Sequence, residues 1–209
     1  MESKFNKLIN SDLTKITTSL AEIPLDSYLD NDVLSKIPML KTVVDIYNLG
    51  NSVNDKIFSN KLIHFLNELD NISPELILKE LRYIDDSEKY NHNVGEKIIE
   101  IISRIDSDGK PKIVGRLFKN FIIKNIEYYE FLKLVDIVEK VFYYDVILLT
   151  KCIDDKFYID LDKELYNLGL IEGKGIGLFD ATPEQSVEFN KITSLITKKG
   201  KMLLDYGLS

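Results

Sequence analysis

Residues 94–122 read VGEKIIEIISRIDSDGKPKIVGRLFKNFI, and this stretch contains two amphipathic helical patterns with a turn between them. Apolar side chains in its first half recur at steps of three and four residues, which is the spacing of one face of an α-helix. Asp-Ser-Asp-Gly at 106–109 then interrupts the pattern, because aspartate and glycine favour turns. A second apolar face follows at Ile113, Val114, Leu117, Phe118, Phe121 and Ile122. Two amphipathic helices joined by a short turn are typical of a helical bundle, so the stretch predicts a mainly α fold.

The helical spacing continues in both directions from this stretch. Upstream it predicts two helices within residues 38–70 and a third over about 73–82, which a Ser-Pro pair begins. Downstream it predicts one long helix over about 128–151, with Phe142 on its inward face. Residues 1–152 are therefore predicted to form a helical bundle domain of about five to seven helices with short connections.

The pattern changes after Cys152. Three short runs have the composition of β-strands, at residues 156–161, 170–171 and 191–196. Between the first two lies a compact helix, DKELYNL, which Gly169 is placed to end in a left-handed conformation. Thr197 is placed to cap a last helix. Residues 153–209 are therefore predicted to form a small α/β subdomain with a long loop at 172–190.

Two segments of this tail carry a resemblance to a known family, namely LYNLGLI at 165–171 and LITKKGKMLLDYGL at 195–208. Joined by a loop, they resemble the end of a winged-helix domain, in which a helix ends in Leu-Gly-Leu-Ile, a β-hairpin wing follows, and Leu-Thr-x-x-Gly begins the closing helix. The resemblance implies a winged-helix-like C-terminal subdomain. In its usual DNA-binding form, the family implies phosphate contacts from Lys174, Lys198, Lys199 and Lys201. The central segment 104–142 is similar to helical bacterial or phage proteins of uncharacterised function, which supply no site residues.

The charge of the chain argues against DNA as a partner. The sequence has 27 basic and 34 acidic residues and a net charge of −7, whereas nucleic acids and anionic membranes select for positive surface. In the tail, Asp160, Asp162 and Glu164 belong to the leading turn of the helix that would enter the groove. Recognition helices present this turn to DNA, so its carboxylates would repel the phosphates. We therefore expect a winged-helix remnant that contacts protein, with nucleic acid a disfavoured partner.

The glycine-rich stretch IEGKGIGLFD at 171–180 raises the question of a phosphate-binding loop. A Walker loop needs Gly-x-x-x-x-Gly-Lys followed by Ser or Thr, whereas here Lys174 precedes the later glycines and no Ser or Thr follows. Alternate glycines supply the backbone freedom that a hairpin or bulge requires. We interpret the stretch as the first half of a long wing, an exposed loop that touches a partner.

No other pattern indicates catalysis or a cofactor. His64 and His92 are the only histidines, and neither has a second His or Cys at metal-ligand spacing. Cys152 is the only cysteine, which excludes an internal disulfide, and its place at the end of an apolar helix predicts a buried structural thiol. The sequence therefore predicts no catalytic residue, no metal, no cofactor and no enzyme activity, and it identifies no small-molecule substrate.

Two segments are candidates for contact with another protein. Segment 37–58 is apolar, and its polar face is mixed in sign, whereas helices that lie on membranes carry a basic face. Core packing, a partner interface and membrane contact all remain open for it. The candidate contact residues in this segment and in the glycine-rich loop are Met39, Val43, Tyr47, Lys174, Ile176 and Phe179.

The N-terminal sequence and the cysteine content predict where the protein resides. The first residues carry no apolar run of signal-peptide length, and no window approaches the ~18 apolar residues of a membrane span. Together with the single cysteine, this predicts a reduced, cytoplasmic location. A composition rich in lysine, isoleucine and asparagine indicates an AT-rich genome, such as that of a Gram-positive bacterium or its phage.

These observations favour a non-enzymatic cytoplasmic interaction or regulatory protein. It is expected to act through another protein or through self-association, as an accessory factor in conflict between a bacterium and a phage. The first alternative is a winged-helix transcription regulator that binds DNA. The second is a membrane-acting abortive-infection effector that works through segment 37–58.

Overall fold

The computed structural model describes residues 33–49, 52–90, 93–161, 163–174 and 191–209. These residues are mainly helical, with a small antiparallel sheet near the C-terminal end, which confirms the expected mainly α fold with a small α/β part. The chain divides into two compact units, one ending at Glu127 and the other beginning at Tyr128. The domain boundary expected at residue 152 stays a prediction, and it falls inside the second unit.

The described part of the first unit contains a short 3-10 turn at Leu34–Lys36 and α-helices α1 to α5. These helices span Pro38–Leu49, Val53–Asn67, Pro74–Asp85, Val94–Arg104 and Lys110–Ile122. Helix α2 packs against α1, α4 and α5, so it is central to this unit. The two apolar faces expected within 94–122 are buried and supply core residues from α4 and α5, including Val94, Ile98, Ile101, Ile113, Val114, Leu117 and Phe118.

Side-chain caps begin three of these helices, and at α4 the Asn93 Oδ1 atom accepts a hydrogen bond from Glu96 N at 3.1 Å. Ser73 Oγ accepts a hydrogen bond from Leu76 N at 3.3 Å, with proline in the first turn, so the predicted start of α3 is confirmed. Ser52 and Asp55 form a reciprocal capping box at the start of α2. Each cap satisfies a backbone N–H that the helix leaves without a partner, which stabilises the helix by about 1 kcal/mol.

Helices α2 and α5 approach each other closely at Gly115. A Cβ atom at this position would lie 2.6 Å from the Phe65 carbonyl oxygen, so glycine is required between the two backbones. The rings of Phe65 and Phe118 join the same two helices, with centroids 5.6 Å apart. Lys61 Nζ also donates a hydrogen bond to the Ile105 carbonyl, so the segment before α5 is held against α2.

The second unit contains further helices and the sheet. Its described elements in chain order are α6 (Tyr128–Lys140), α7 (Tyr143–Leu148), a 3-10 turn (Leu149–Lys151), β1 (Lys156–Phe157), α8 (Lys163–Asn167), β2 (Ile171–Gly173), β3 (Ser194–Ile196), α9 (Lys198–Leu203) and a π-helical turn (Leu204–Leu208). The strands pair antiparallel in the order β1-β3-β2, with Phe157 opposite Ser194 and Glu172 opposite Leu195. Strands β1 and β3 occupy part of their predicted runs, whereas β2 shares only Ile171 with its run and extends to Gly173.

Gly169 and Thr197 take the roles predicted for them in this unit. Gly169 ends α8 with a φ of 67°, in the left-handed region that glycine enters without strain. Thr197 Oγ1 accepts a hydrogen bond from Gly200 N at 3.1 Å and so caps α9. The same hydroxyl donates to the Gly169 carbonyl at 2.7 Å, which holds the start of α9 against the end of α8.

The single long helix predicted over 128–151 is wrong, because the chain breaks between α6 and α7. Phe142 adopts an extended conformation, with φ −66° and ψ 134°, and precedes the first turn of α7. Its side chain, expected to face inward, is 56% exposed. The run Val-Phe-Tyr-Tyr at 141–144 favours the break, since valine and aromatic side chains lose rotamer freedom in a helix.

Candidate protein-contact site

An aromatic cluster formed by Phe142, Tyr143 and Tyr144 lies at the start of α7. The ring centroids of Phe142 and Tyr144 are 5.5 Å apart with planes at 52°, and those of Tyr143 and Tyr144 are 5.4 Å apart with planes at 71°. Such tilted and edge-on contacts are the arrangements that aromatic pairs prefer. Phe142 and Tyr144 are 56% and 69% exposed, so the cluster presents packed rings to solvent.

The local sequence holds the cluster in place by burying a residue on each side of it. Val141 and Val146 are both fully buried. The carbonyl of Phe142 accepts hydrogen bonds from Asp145 N at 3.1 Å and from Val146 N at 3.2 Å, which begins α7 at this point. The exposed aromatic rings therefore belong to a backbone segment whose flanking residues, Val141 and Val146, are buried.

This composition is suited to contact with protein. Tyrosine and phenylalanine supply a large contact area and have two side-chain torsions each, so ordering them on binding loses little entropy. The contacts between the rings already restrict those torsions. Binding hot spots are enriched in tyrosine. The side chains of the cluster are one phenyl ring and two phenols, which supply contact area and hydrogen-bonding hydroxyls.

Two residues predicted for protein contact are buried. Met39 and Val43 on α1 are 0% and 6% exposed, so they pack in the core and do not form a surface. Helical spacing identifies an apolar face, but it does not say whether another element covers that face. The Tyr47 side chain, Ile176 and Phe179 lie outside the described residues.

Segment 37–58 exposes other apolar residues at the end of α1 and on α2, namely Leu49, Val53 and Ile57. Val53 and Ile57 are one turn apart on α2. No described helix has the length and apolar character needed to cross a bilayer. The rings of the aromatic cluster pack on each other, and we take this cluster as the candidate site.

Two of the lysines that DNA binding would need are engaged within the second unit. Lys201 Nζ contacts both carboxylate oxygens of Asp155, at 2.7 and 2.9 Å, and this hydrogen bonding raises the pKa of Lys201. Lys199 Nζ donates to a backbone carbonyl just beyond α8 at 3.3 Å. Lys198 is exposed and Lys174 is half-buried. The hydrogen bonds that Lys199 and Lys201 already make compete with binding of phosphate.

An open cavity of about 460 Å³ in the second unit is lined by Cys152, Asp154, Asp155, Lys201, Leu204 and Asp205. Asp154 and Asp155, in the turn before β1, adopt φ values of 49° and 64°. Cys152 is half-buried rather than buried, and burial together with the nearby Asp155 raises the pKa of its thiol. A raised pKa keeps the sulfur protonated and unreactive, so the cavity is not arranged for nucleophilic catalysis.

Metal-ligating side chains are not brought together in the described part of the chain, where no group of three His, Cys, Asp or Glu residues could hold an ion. His64 lies on α2, with Asn60 Nδ2 at 3.4 Å from its Nε2 atom. His92 lies outside the described residues.

Sequence reasoning missed the aromatic cluster because it extended one helix across 128–151. A signal was present in the three consecutive aromatic residues at 142–144. Successive residues of a helix point about 100° apart, so three bulky rings in a row cannot all face one core. The run itself therefore indicates that at least one ring reaches the surface.

Comparison of the chain with protein-family models, with curated proteins and with solved structures finds no match in any of the three.

Proposed function

We propose that this protein is non-enzymatic and acts by binding another protein, with the aromatic cluster at 142–144 at the centre of the contact. The observation that carries the proposal is the exposure of the Phe142 and Tyr144 rings, which pack with Tyr143 into one cluster between buried Val141 and Val146. The net charge of −7 supports a protein partner over nucleic acid or an anionic membrane. The proposed setting is an accessory role in conflict between a bacterium and a phage, in the cytoplasm.

The exposed area of the cluster is large enough to matter for affinity. Two rings that each present roughly 100 Å² contribute on the order of 5 kcal/mol when buried, before the losses for association and ordering. A micromolar complex requires a net free energy of about −8 kcal/mol. The cluster therefore acts as the anchor of a contact to which neighbouring residues also contribute.

The first test compares partner capture from source cells by three forms of the full-length protein. The parent and Tyr166→Ala should retain the same stoichiometric partner, because Tyr166 is an exposed tyrosine of the second unit outside the cluster. Phe142→Ala/Tyr144→Ala should bind that partner at least about tenfold more weakly in titration, since two anchor rings are lost. Its thermal unfolding should stay close to that of the parent, because both replaced side chains are exposed.

Each outcome bears on a different part of the proposal. If the parent and the double variant bind the captured partner with equal affinity, the aromatic cluster is not the contact. Failure of the parent to retain any stoichiometric partner would contradict a protein-binding function.

A DNA-binding regulator is the second candidate. Its support is an antiparallel three-stranded sheet with α8 before β2 and α9 after β3, the order that the winged-helix resemblance implies. Against it, α8 has five residues and rises about 7.5 Å, a short element for reading a groove. The ion pair between Lys201 and Asp155 also competes with one of its phosphate contacts. Protein binding is therefore the preferred function.

A further inference from the structure

His64 on α2 has a buried ring nitrogen with no hydrogen-bond partner. Its Nδ1 atom is unpaired, and so is Asn67 Oδ1, one turn further along the helix. Its other nitrogen, Nε2, makes a long contact of 3.4 Å with Asn60 Nδ2. Because most buried polar atoms in folded proteins are paired, two unpaired atoms on one helix call for a physical account.

The protonation state of the imidazole decides how many of its ring nitrogens need an acceptor. In the neutral ring one nitrogen carries a hydrogen and the other is bare, whereas in the charged ring both carry one. With Asn60 Nδ2 donating to Nε2, the neutral ring carries its hydrogen at Nδ1, and protonation adds an N–H at Nε2 that faces the amide donor. Neither nitrogen of the charged ring then has an acceptor. If the Asn60 amide is turned so that its oxygen faces Nε2, the added N–H lies at Nδ1 instead, where no acceptor is present. In either orientation protonation adds an unmet donor, which is unfavourable.

The charges around His64 add to this effect. Burial is the largest influence and Lys112 on α5 the next, and both lower the pKa of His64 from its ordinary value of 6.5. Asp108, just before α5, and Glu68, just after α2, act in the opposite direction. Glu68 is already paired with Arg116 of α5 at 2.9 Å.

Helices α1 and α4, which also pack on α2, keep their charged groups near solvent. The exposed ones are Lys41, Asp45, Glu96, Glu100 and Arg104. Lys97 is half-buried and pairs with Glu100 at 3.0 Å. The described charges that act on His64 most directly therefore come from α5, the turn before it and the end of α2.

We propose that His64 makes the first unit sensitive to acid: the neutral imidazole lets α2 pack against α5, and protonation loosens that contact. The interface has little room to adapt, because a Cβ at Gly115 would already lie 2.6 Å from the Phe65 carbonyl. The added N–H without an acceptor is therefore relieved by opening of the helix pair.

The direction of the pH effect follows from linkage. The unfolded chain binds a proton at His64 more readily than the folded chain. The contribution of neutral His64 to the free energy of unfolding is therefore fully present above about pH 6.5 and falls as the pH drops below that value. The opening equilibrium rises by up to about tenfold for each pH unit below this, until the folded form is itself protonated. Ordinary carboxylates titrate near pH 4, so the range from pH 7.5 to 5.0 isolates the histidines.

Amide hydrogen exchange of the full chain at pH 7.5 and 5.0, corrected for intrinsic rates, tests the proposal. In the parent, protection of α2 and α5 should fall about tenfold at the lower pH. His64→Gln should remove that dependence. His92→Gln is the matched control, since it replaces the only other histidine, and it should keep the dependence of the parent.

An NMR titration of the ring protons gives a second measurement that does not depend on folding of His64→Gln. In the His92→Gln variant the remaining histidine signal belongs to His64, and its midpoint should lie below pH 6.5. A midpoint at or above 6.5 overturns the proposal. Equal loss of protection in His64→Gln and the parent overturns it as well.

Discussion

Glu80 on α3 keeps a carboxylate inside the first unit by pairing with Lys124. The Glu80 side chain is 6% exposed, and the Lys124 ammonium contacts its Oε2 atom. The same ammonium lies 5.2 Å from the ring centroid of Tyr83 and 5.4 Å from that of Phe121. Lys124 thus joins the end of α5 to α3 through an ion pair and through cation–π contacts.

Replacing Lys124 tests this pairing. Lys124→Met should lower the free energy of unfolding by about 1–3 kcal/mol, because the buried Glu80 carboxylate loses its charged partner. Glu80→Gln/Lys124→Met should recover part of the loss, since the neutral amide needs no counter-charge. The readout is urea denaturation.

Lys140→Met is the matched control for this prediction. Lys140 Nζ pairs with Asp136 at 2.6 Å, and both side chains are about 60% exposed. Exposed pairs contribute little, so the change should stay below about 0.5 kcal/mol. If Lys124→Met and Lys140→Met lower the free energy of unfolding equally, burial of Glu80 does not explain the contribution of the Glu80–Lys124 pair.

Gly200 shows why one element of the second unit packs on another. The Leu170 carbonyl, just before β2, accepts a hydrogen bond from Thr197 N at 3.0 Å. The Thr197 hydroxyl shares its one hydrogen between this carbonyl, at 3.1 Å, and that of Gly169, at 2.7 Å. These bonds draw the start of α9 so close that a Cβ at Gly200 would lie 2.0 Å from the same carbonyl oxygen. The contact between α9 and the start of β2 therefore requires glycine at this position.

Gly200→Ala should destabilise the protein by about 1–3 kcal/mol, because the overpacking exceeds the gain of up to about 1 kcal/mol from helix propensity. Gly173→Ala is the control, since its Cβ would meet nothing within 4 Å. That variant should match the parent or gain up to about 1 kcal/mol from the stiffer unfolded chain. Thermal unfolding followed by circular dichroism measures both, and a Gly200→Ala variant as stable as the parent contradicts the packing account.

At the scale of the elements, local sequence patterns predicted several features correctly and one helix wrongly. The two faces within 94–122, the cap at Ser73, the left-handed Gly169 and the cap at Thr197 all depend on residues within a turn of each other, and all are confirmed. The helix over 128–151 fails, because the apolar spacing continues through a run of bulky residues that favours a break. The aromatic cluster was missed for the same reason.

The net charge of −7 disfavours binding of the chain to polyanions such as DNA. In a titration against random duplex DNA near physiological salt, the full-length protein should bind more weakly than about 10⁻⁴ M. Repeating the titration at low salt separates the two proposed functions. Affinity that falls steeply with salt and is lost in Lys198→Ala would favour the regulator, since Lys198 is exposed.

The mainly α class, the cap at Ser73, the left-handed Gly169 and the cap at Thr197 were predictable from the sequence of this protein, because each depends on backbone preferences and on contacts three or four residues apart. The tertiary structure decided which apolar faces are covered. It buried Met39 and Val43, exposed Phe142 and Tyr144, and paired Glu80 with a lysine 44 positions away. A local pattern records that a face is apolar or that a group is charged, but burial and pairing depend on which distant element packs against it.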